Sequence, residues 1–370
     1  MVQAQKLRAG ILGVSGAAGQ QFLAALDGHP QFEVARVYGQ NSAGKRLSEI
    51  DSYVYFPRNL GKLVIEEPKV DSDLDLVFSA LPSEPARELE AMFAREMPVI
   101  SVSSAYRYEP DVPILIPEVN SDHARMIQRQ QNLRGWKGFI VPGPNCTLVS
   151  AAITLKALEE FGIQRVSYSS YQAVSGAGIE KLRLLGEQVL LEDRGVELKD
   201  RSPIFAYNVI PYIKEEEEKV SRELKKILGT FTDEIDPLEA KINGTCVRVP
   251  VKFGHTLCMQ VETKEGLDAA EVWRAFKKFN EDQKFYFGDL HSSPKNTITI
   301  MNEYDRPQPY LDAELDGGMT ICVGRIRALD GYGGKGIQYV ALSNNLKKGA
   351  AKGAVQTAEF LVRDGYIQKE

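Results

Sequence analysis

Short apolar runs that alternate with helical patterns are the feature of this sequence that most limits its fold. Five such runs lie in the first 145 residues, at 7–12, 34–38, 74–79, 99–102 and 139–141. Nearly continuous apolar runs of about five residues are typical of parallel strands that helices cover on both faces. The pattern therefore predicts an α/β fold whose first part is a Rossmann-like, doubly wound domain.

A second domain is predicted after the interruption Pro142, Gly143, Pro144. A helix follows at 147–161 and ends at Gly162, and later strand patterns at 165–171, 246–252, 257–263 and 319–327 alternate more strongly. Alternation indicates an antiparallel or mixed sheet with one wetter face, hence an α+β domain. We predict domains at 1–146 and 147–346. A helix at 349–362, within the C-terminal segment 347–370, is expected to pack back on the first domain.

A glycine-rich segment, GVSGAAG, lies between the first strand and a helix predicted at 17–26. Gly13, Gly16 and Gly19 would let the backbone approach a pyrophosphate at the helix N-terminus, although glycines there also simply permit a tight turn. The second strand is followed by GQNSAGK, which offers Ser42 and Lys45 and no carboxylate for a ribose 2′-hydroxyl. The segment favours NADP(H) over NAD(H) as cofactor.

Cys146 stands in GPNCT, immediately before the helix of the second domain. A helix N-terminus lowers the pKa of a thiol, which would suit a nucleophile, but from position alone a small buried residue that fills the domain junction is the favoured interpretation. Cys246, Cys258 and Cys322 lie in strand patterns and are predicted to be core residues.

Four histidines are present. His29, His123 and His291 have polar or turn-like neighbours and are predicted at the surface, whereas His255 follows Gly254 between two strand-like runs. Seven residues separate His255 from Arg248, so on an unbroken strand they would point to opposite faces, and a common site requires a bend at Gly254. From position alone, a structural histidine is the favoured interpretation.

Composition limits the class of partner. The net charge of −5 argues against nucleic acid and anionic membranes, and a small-molecule substrate is expected instead. Apolar runs stay well below the roughly 18 residues that a membrane span needs. The four scattered cysteines form no metal motif and suit a reducing, cytoplasmic setting. The acidic run at 215–218 is predicted to be a solvated helix start.

Nine segments together resemble the aspartate-β-semialdehyde dehydrogenase family, most closely its archaeal and fungal branch, over essentially the whole chain. They are GVSGAAG, SAGK (42–45), VFSALPS (77–83), SAYRYEPDVPILIPEVN (104–120), PNC (144–146), QAVSGAG (172–178), EEEEKVSRELKKILGT (215–230), RVPVKFGH (248–255) and DRPQP (305–309). The resemblance implies NADPH-dependent, reversible reduction of L-4-aspartyl phosphate to the semialdehyde through a cysteine thioester. It also implies that the second domain is catalytic and forms a homodimer or homotetramer.

The resemblance assigns roles to single positions. Cys146 matches the nucleophile, His255 the acid/base and Gln172 the residue that positions the acyl group. The implied substrate contacts are Arg248 for the carboxylate, Glu223 for the amino group, Arg107 and Lys226 for the phosphate, and Asn145 of PNC. The implied cofactor contacts are Gly13, Ser15, Gly16, Ala17, Gly19, Ser42, Lys45, Ser79, Ala80, Leu81, Ser175, Gly176 and Asn345.

Several alternatives stay open at this point. Asn41 replaces an arginine that many relatives carry before SAGK, so NAD(H) is a second possible cofactor. Archaeal malonyl-CoA reductase shares the thioester chemistry but needs neither Glu223 nor Asn145, and a non-catalytic dinucleotide-binding scaffold would need no Cys146. Glu223 itself has a purely structural interpretation as an exposed residue of a highly charged helix.

Overall fold

The structure is a computed structural model that describes residues 5–52, 59–199, 201–330 and 333–369. Its first sheet is entirely parallel and has the strand order β2-β1-β3-β4-β5. The strands are β1 Leu7–Leu12, β2 Phe32–Tyr38, β3 Leu76–Ser79, β4 Val99–Ser101 and β5 Ile140–Pro142. The strand order reverses between β1 and β3, which is where doubly wound folds bind ligands. The prediction of a Rossmann-like first domain is confirmed.

Helices cover the first sheet and extend into the second domain. Those of the first part are α1 Ala17–Ala25, α2 Ser83–Ala94, α3 Pro117–Asn120 and α4 Met126–Arg134; those that follow are α5 Leu148–Lys156, α6 Ile179–Glu192, α7 Glu216–Ile227, α8 Ala269–Phe287, α9 Pro309–Asp312 and α10 Ala351–Arg363. The predicted helix at 147–161 is α5 followed by a short 3₁₀ turn, and it ends at left-handed Gly162. In the described ranges, every helix is too short or too polar to cross a bilayer.

The second domain contains a mixed sheet in the order β11-β12-β13-β10-β6-β9. Its strands are β6 Ile163–Gln172, β9 Lys241–Arg248, β10 His255–Thr263, β11 Ile298–Ile300, β12 Ile321–Ala328 and β13 Gly336–Ser343, beside the small pair β7 Thr230–Phe231 and β8 Ile235–Asp236. Parallel β6–β9 and β11–β12 pairs flank antiparallel ones. The mixed-sheet prediction is confirmed, but central β13 was not predicted, although Ile337, Tyr339 and Ala341 alternate there as an inward face.

One face of this sheet forms the core of the second domain, and the other stays largely uncovered. Leu257 and Met259 of β10 are buried in a cluster that also contains residues of α5, α7 and α8. Cys258, between them, points to the opposite face and is exposed, so its predicted core position is wrong. Cys246 and Cys322 are buried as predicted.

Helix α10 returns to the first domain and packs on α1. Its Ala354, Val355 and Ala358 share a core cluster with Phe22 and Leu23 of α1. Glu359 of α10 lies 2.7 Å, through Oε1, from Nε2 of a fully buried His29. This contact holds α10 against the turn that precedes β2.

Two histidines therefore differ from prediction. His29 and His123 are buried, because each ring meets a polar partner that lies far away in sequence: Glu359 for the first and the Gly229 carbonyl oxygen, 3.0 Å from Nε2, for the second. A buried imidazole with such partners avoids the cost of an unsatisfied polar group. His291 is exposed, as predicted.

Candidate active site

The proposed catalytic side chains meet because several strands of the second sheet terminate at the same end. Gln172 ends β6, Arg248 ends β9, and the two residues are partners in the parallel register. His255 begins antiparallel β10 and pairs with Ser343, the last residue of β13. Arg248 and His255 thus stand on separate strands on either side of β6. The bend expected at Gly254 is part of the connection, with φ +92°.

Cys146 reaches this end of the sheet from the first domain. It follows β5 in a short turn in which Asn145 Oδ1 accepts a hydrogen bond from the Thr147 N–H at 2.9 Å. The Cys146 Sγ lies 3.3 Å from His255 Nε2. A thiol and an imidazole at this separation form the pair that covalent catalysis requires.

The hydrogen bonds of His255 determine where its ring proton lies. Its Nδ1 accepts a hydrogen bond from the Ala173 N–H at 3.0 Å, so the neutral ring carries its proton on Nε2, which faces Cys146 Sγ. Burial, reinforced by the positive charge of Arg248, lowers the pKa of His255 to about 3. The ring is therefore neutral near pH 7 and presents a proton donor to the sulfur.

The thiol differs from the sequence-based expectation. Burial, followed by the negative charge of Glu216, raises the pKa of Cys146 to about 12, and Arg107 and Arg248 oppose this only in part. The predicted lowering by a helix N-terminus is wrong, because α5 begins only at Leu148 and desolvation dominates. Without substrate, the pair is a neutral thiol beside a neutral imidazole.

Arg248 is placed to bind an anion. One guanidinium nitrogen, Nη1, donates to the Ala173 carbonyl oxygen at 2.7 Å, and no other side-chain hydrogen bond or ion pair of Arg248 occurs within the described part of the chain. Gly176 lies next to it, where a Cβ would be only 3.2 Å from both Arg248 Nη1 and His255 Nε2. A side chain at 176 would therefore crowd both His255 and Arg248.

Glu223 and Arg107 are paired with each other. Arg107 Nη1 lies 3.2 Å from Glu223 Oε1, and the other Arg107 nitrogens donate to the carbonyl oxygens of residues 102, 143 and 144. Glu223 is fully buried and also accepts from Tyr108 Oη at 3.2 Å and from the Asn145 N–H at 2.9 Å. The interpretation of Glu223 as an exposed helix residue is therefore wrong.

Lys226 is likewise engaged. Its Nζ donates to the carbonyl oxygens of Arg107, Glu109 and Val112 at 2.7 to 2.9 Å, and burial lowers its pKa to about 8. The positions that the resemblance connects with phosphate thus lie together, one helical turn from Glu223. In this structure their donors are used within the protein.

Glu216 is a residue of the site that the sequence analysis missed. The acidic run was predicted to be solvated, but Glu216 Oε1 accepts hydrogen bonds from Asn145 and from Gln172. The signal was available, because Glu216, Val220 and Glu223 follow the i, i+4, i+7 spacing that puts residues on one helix face. Val220 and Glu223 of that face are buried.

The glycine loop at the carboxyl end of β1 is shaped for a dinucleotide. Gly13 has φ +75°, and a Cβ there would lie 2.8 Å from the Ala80 carbonyl oxygen, next to Leu81. Helix α1 follows with Gly16 as its N-cap and no side-chain cap, so the first amides are available to an anion. Ser15 and Gly16 are exposed, Ala17 is half-buried, and Gly19 is buried tightly against the Gly13 carbonyl oxygen.

Polar groups without partners surround this loop. Ser42 Oγ, after β2, is buried and has no hydrogen-bond partner among the described residues, while Lys45 is exposed. Ser79 Oγ, at the end of β3, lies near the Glu90 carboxyl but makes no hydrogen bond of standard geometry to a described residue. Free donors beside an uncapped helix fit a phosphate-bearing dinucleotide.

The second domain faces the same loop. Ala17 and Ser175 line one small apolar cavity together with Phe253 and Leu346. Asn345 holds this region, since its Nδ2 donates to Ser175 Oγ at 3.0 Å and its Oδ1 accepts from the Gly254 N–H at 2.9 Å. Of the predicted cofactor residues, Ala17 of the first domain and Ser175 of the second thus line the same cavity, and Asn345 contacts Ser175. No three His, Cys, Asp or Glu side chains of the described residues are arranged to hold a metal ion.

Comparison with protein families defines the class. Residues 8–127 match the semialdehyde dehydrogenase NAD binding domain, and residues 155–348 match the semialdehyde dehydrogenase dimerisation domain. These matches confirm the prediction of an oxidoreductase with a nicotinamide dinucleotide cofactor. They also assign the mixed sheet to a dimerisation domain.

Individual relatives narrow this class. The chain is 37% identical over 361 residues to an aspartate-semialdehyde dehydrogenase of Methanothermobacter thermautotrophicus, covering 95% of this chain and 98% of the relative. It is 34% identical over 384 residues to that of Aspergillus fumigatus, covering 99% and 100%. The crystal structure of the Candida albicans enzyme with NADP superimposes with a TM-score of 0.82 at 31% identity, covering 98% and 100%. This chain belongs to the aspartate-semialdehyde dehydrogenase family, as its motifs predicted.

Proposed function

We propose that this chain catalyses the reversible, NADPH-dependent reduction of L-4-aspartyl phosphate to L-aspartate 4-semialdehyde and phosphate. The observation that carries the proposal is the Cys146 Sγ to His255 Nε2 distance of 3.3 Å at the junction of a dinucleotide-binding domain with the second domain. Membership of the family and intact positions Asn145 and Glu223 support this substrate over malonyl-CoA. A scaffold without catalysis would have no need for the thiol and imidazole pair.

The chemistry uses the thiol in two stages. The Cys146 sulfur attacks the acyl carbon, the bond from that carbon to the phosphate oxygen breaks, and the thiol proton leaves with the phosphate as hydrogen phosphate, so that a thioester remains on Cys146. A bound nicotinamide would supply the hydride that this thioester accepts. Breakdown of the resulting thiohemiacetal anion breaks the carbon–sulfur bond and releases the aldehyde, and the sulfur takes up one proton from solvent to restore the thiol.

His255 stabilises the oxygen where charge develops. Because its Nδ1 accepts from the Ala173 N–H, its proton lies on Nε2 beside the sulfur and so beside any group bound to it. A hydrogen bond from the Nε2–H stabilises the thiohemiacetal oxygen while it carries negative charge, and the proton stays on Nε2 when the aldehyde forms. Removal of one such donor typically costs about 10² to 10³ in kcat.

Substrate binding requires the buried ion pair to exchange partners. We assign the substrate carboxylate to the free fork of Arg248, the ammonium to Glu223, and the phosphate to Arg107 and Lys226. Arg107 and Glu223 neutralise each other in the structure described above. A substrate that carries both an ammonium and a phosphate supplies each with a new partner, so neither charge is left buried alone.

The uncovered face of the mixed sheet is the surface that we assign to a homodimer. Tyr171 is 41% exposed there, opposite Thr256 of β10, and the same face of β10 also exposes Cys258 and Gln260. The match to a dimerisation domain supports this placement, and a homotetramer would need a further contact. Four unpaired cysteines support a reducing, cytoplasmic location.

Two parallel reactions with different substrates test the proposal. Purified protein is given aspartate semialdehyde, phosphate and NADP⁺, and formation of NADPH is followed by absorbance; malonyl-CoA with NADPH is the parallel reaction. We expect turnover only in the first reaction. Turnover only with malonyl-CoA would assign the chain to the other chemistry, and turnover in neither would leave the scaffold interpretation.

A further inference from the structure

Glu216 concentrates three hydrogen bonds on one oxygen next to the nucleophile. Its Oε1 accepts from Asn145 Nδ2 at 3.0 Å, from Thr147 Oγ1 at 3.2 Å and from Gln172 Nε2 at 3.2 Å. Asn145 and Thr147 are the two chain neighbours of Cys146, and Gln172 ends β6. The carboxylate of α7 thereby joins the first domain's turn to the end of the second sheet.

A carboxylate can only accept hydrogen bonds, and this determines how the two amides are turned. Asn145 and Gln172 must both present their NH₂ groups to Glu216. Asn145 Oδ1 then remains for the Thr147 N–H, and Gln172 Nε2 also donates to Ser170 Oγ at 3.2 Å. A glutamine at position 216 would offer both an acceptor oxygen and a donor NH₂ group, so either neighbouring amide could rotate and still form a hydrogen bond.

We propose that Glu216 is a positioning residue for the thioester chemistry, because one of its oxygens holds the Asn145 and Gln172 amides in one orientation beside the turn that carries Cys146. The inference rests on the proposed function, because the amides matter only if an acyl group is attached to Cys146. Glu216 touches neither the sulfur nor His255 by hydrogen bond within the described residues, so it acts through the amides and through its charge.

The charge of Glu216 has a separate and measurable effect. The charged or titratable groups that act on Cys146 are Glu216 from α7, Arg107 from the first domain, Arg248 from β9 and His255 from β10. Glu216 is the group that opposes ionisation of the thiol, while the two arginines favour it. Removing this carboxylate should therefore make the Cys146 thiol ionise at lower pH. Turnover should fall at the same time, although the thiol itself becomes more reactive.

Two substitutions and one matched control test the proposal. Glu216→Ala removes the acceptor and the charge, Glu216→Gln removes the charge and keeps one acceptor oxygen, and Glu218→Gln removes the same charge from the same helical turn. Glu218 is exposed and has no hydrogen bond or ion pair with a described residue. Turnover with aspartate semialdehyde and the rate of Cys146 alkylation by iodoacetamide, measured from pH 6 to 10 in a background without the other reactive thiols, are the readouts.

We expect kcat to fall at least tenfold in Glu216→Ala and less in Glu216→Gln, with KM for NADP⁺ within twofold of wild type. Both variants should show the alkylation profile displaced to lower pH, and Glu218→Gln should match wild type in both assays. Wild-type kcat in Glu216→Ala would overturn the positioning role. A lower kcat with an unchanged alkylation profile would overturn it too, because that pattern indicates general damage. The alkylation arm needs no substrate, so it still reports on Glu216 if wild type fails to use aspartate semialdehyde.

Discussion

The glycine loop and the surroundings of Cys146 satisfy their polar groups in opposite ways. At the loop, α1 begins without a side-chain cap and Ser42 Oγ has no partner in the described ranges. Around the thiol, Arg107, Glu223 and Lys226 are bonded within the protein. With the contacts that we propose, the cofactor would enter a site already built for it, whereas the substrate would have to replace internal hydrogen bonds. Changes at the thiol should therefore affect substrate and leave cofactor binding intact.

The largest expected effect follows removal of the thiol. Cys146→Ser should lower kcat at least about 10³-fold, because an alcohol is a far weaker nucleophile than a thiol at this position. NADP⁺ binding measured by calorimetry should stay within twofold of wild type, as should the melting temperature. Cys322→Ser, at a buried thiol of β12 that donates to the Asp312 carbonyl oxygen, is the control and should retain full activity. Retention of more than about a tenth of the activity by Cys146→Ser would argue against the covalent mechanism.

Next come the substrate contacts. Arg248→Lys keeps the charge but loses the planar fork, and Glu223→Gln loses the charge that we assign to the ammonium. Each should lower kcat/KM for aspartate semialdehyde by about 2 to 4 kcal/mol, the cost of a charge-assisted hydrogen bond lost at a buried site. Steady-state kinetics measure both effects. The control is Arg274→Lys, at an exposed arginine of α8. Wild-type efficiency of Glu223→Gln would reopen the choice of substrate.

A smaller effect, on the pH dependence of stability, is expected from Glu90 of α2 in the first domain. Glu90 is buried, accepts from Ser101 Oγ at 2.6 Å, and burial raises its pKa to about 7. The folded state therefore holds this proton more tightly than the unfolded state. The stability that comes from the protonated form is complete below the unfolded pKa of about 4.5 and is lost as the pH rises to about 7.

Glu90→Gln removes that titration. The free energy of unfolding of the variant minus that of wild type should increase by about 2 to 3 kcal/mol from pH 4 to pH 8. Urea unfolding at both pH values measures the difference. Glu88→Gln, on the exposed side of the same helix, should show no such dependence. Parallel stability curves for Glu90→Gln and wild type would show that Glu90 ionises normally.

The smallest expected effect is the choice of cofactor. No carboxylate follows β2, so NADP⁺ should bind about tenfold better than NAD⁺, or 1.4 kcal/mol. Asn41→Arg should widen the gap by adding a cation beside Ser42, whereas Asn132→Arg on α4 adds the same charge elsewhere. Calorimetry at fixed salt gives both affinities. Equal or tighter binding of NAD⁺ by wild type would contradict the assignment and would point to Asn41 as the reason.

The glycine loop and the surroundings of Cys146 also differ in how far the sequence predicts them. The glycine loop is contiguous, so residues 13–19 carry their own conformation and function, and the apolar runs located the strands of the first sheet within a few residues. The resemblance supplied Cys146 and His255 as partners. Spacing alone could not, because the pair forms between β5 and β10, which sequence periodicity treats separately.

Errors arose where distant contacts decide the outcome. His29 is buried by Glu359, a residue 330 positions away. The thiol pKa is raised because packing removes water from Cys146, an effect that outweighs any helix end. Glu216 looked like one more member of an acidic run until its oxygen met Asn145 and Gln172. Local patterns contain none of these distances.

Rapid mixing followed by mass spectrometry tests directly whether catalysis passes through a thioester on Cys146. Enzyme at micromolar concentration is mixed rapidly with aspartate semialdehyde and NADP⁺ without phosphate, absorbance is recorded, and the quenched protein is analysed by mass spectrometry with peptide mapping. We expect a burst of one NADPH per chain and one aspartyl group on Cys146, both absent in Cys146→Ser. Steady NADPH formation only with phosphate, with no burst and no adduct on Cys146, would contradict it.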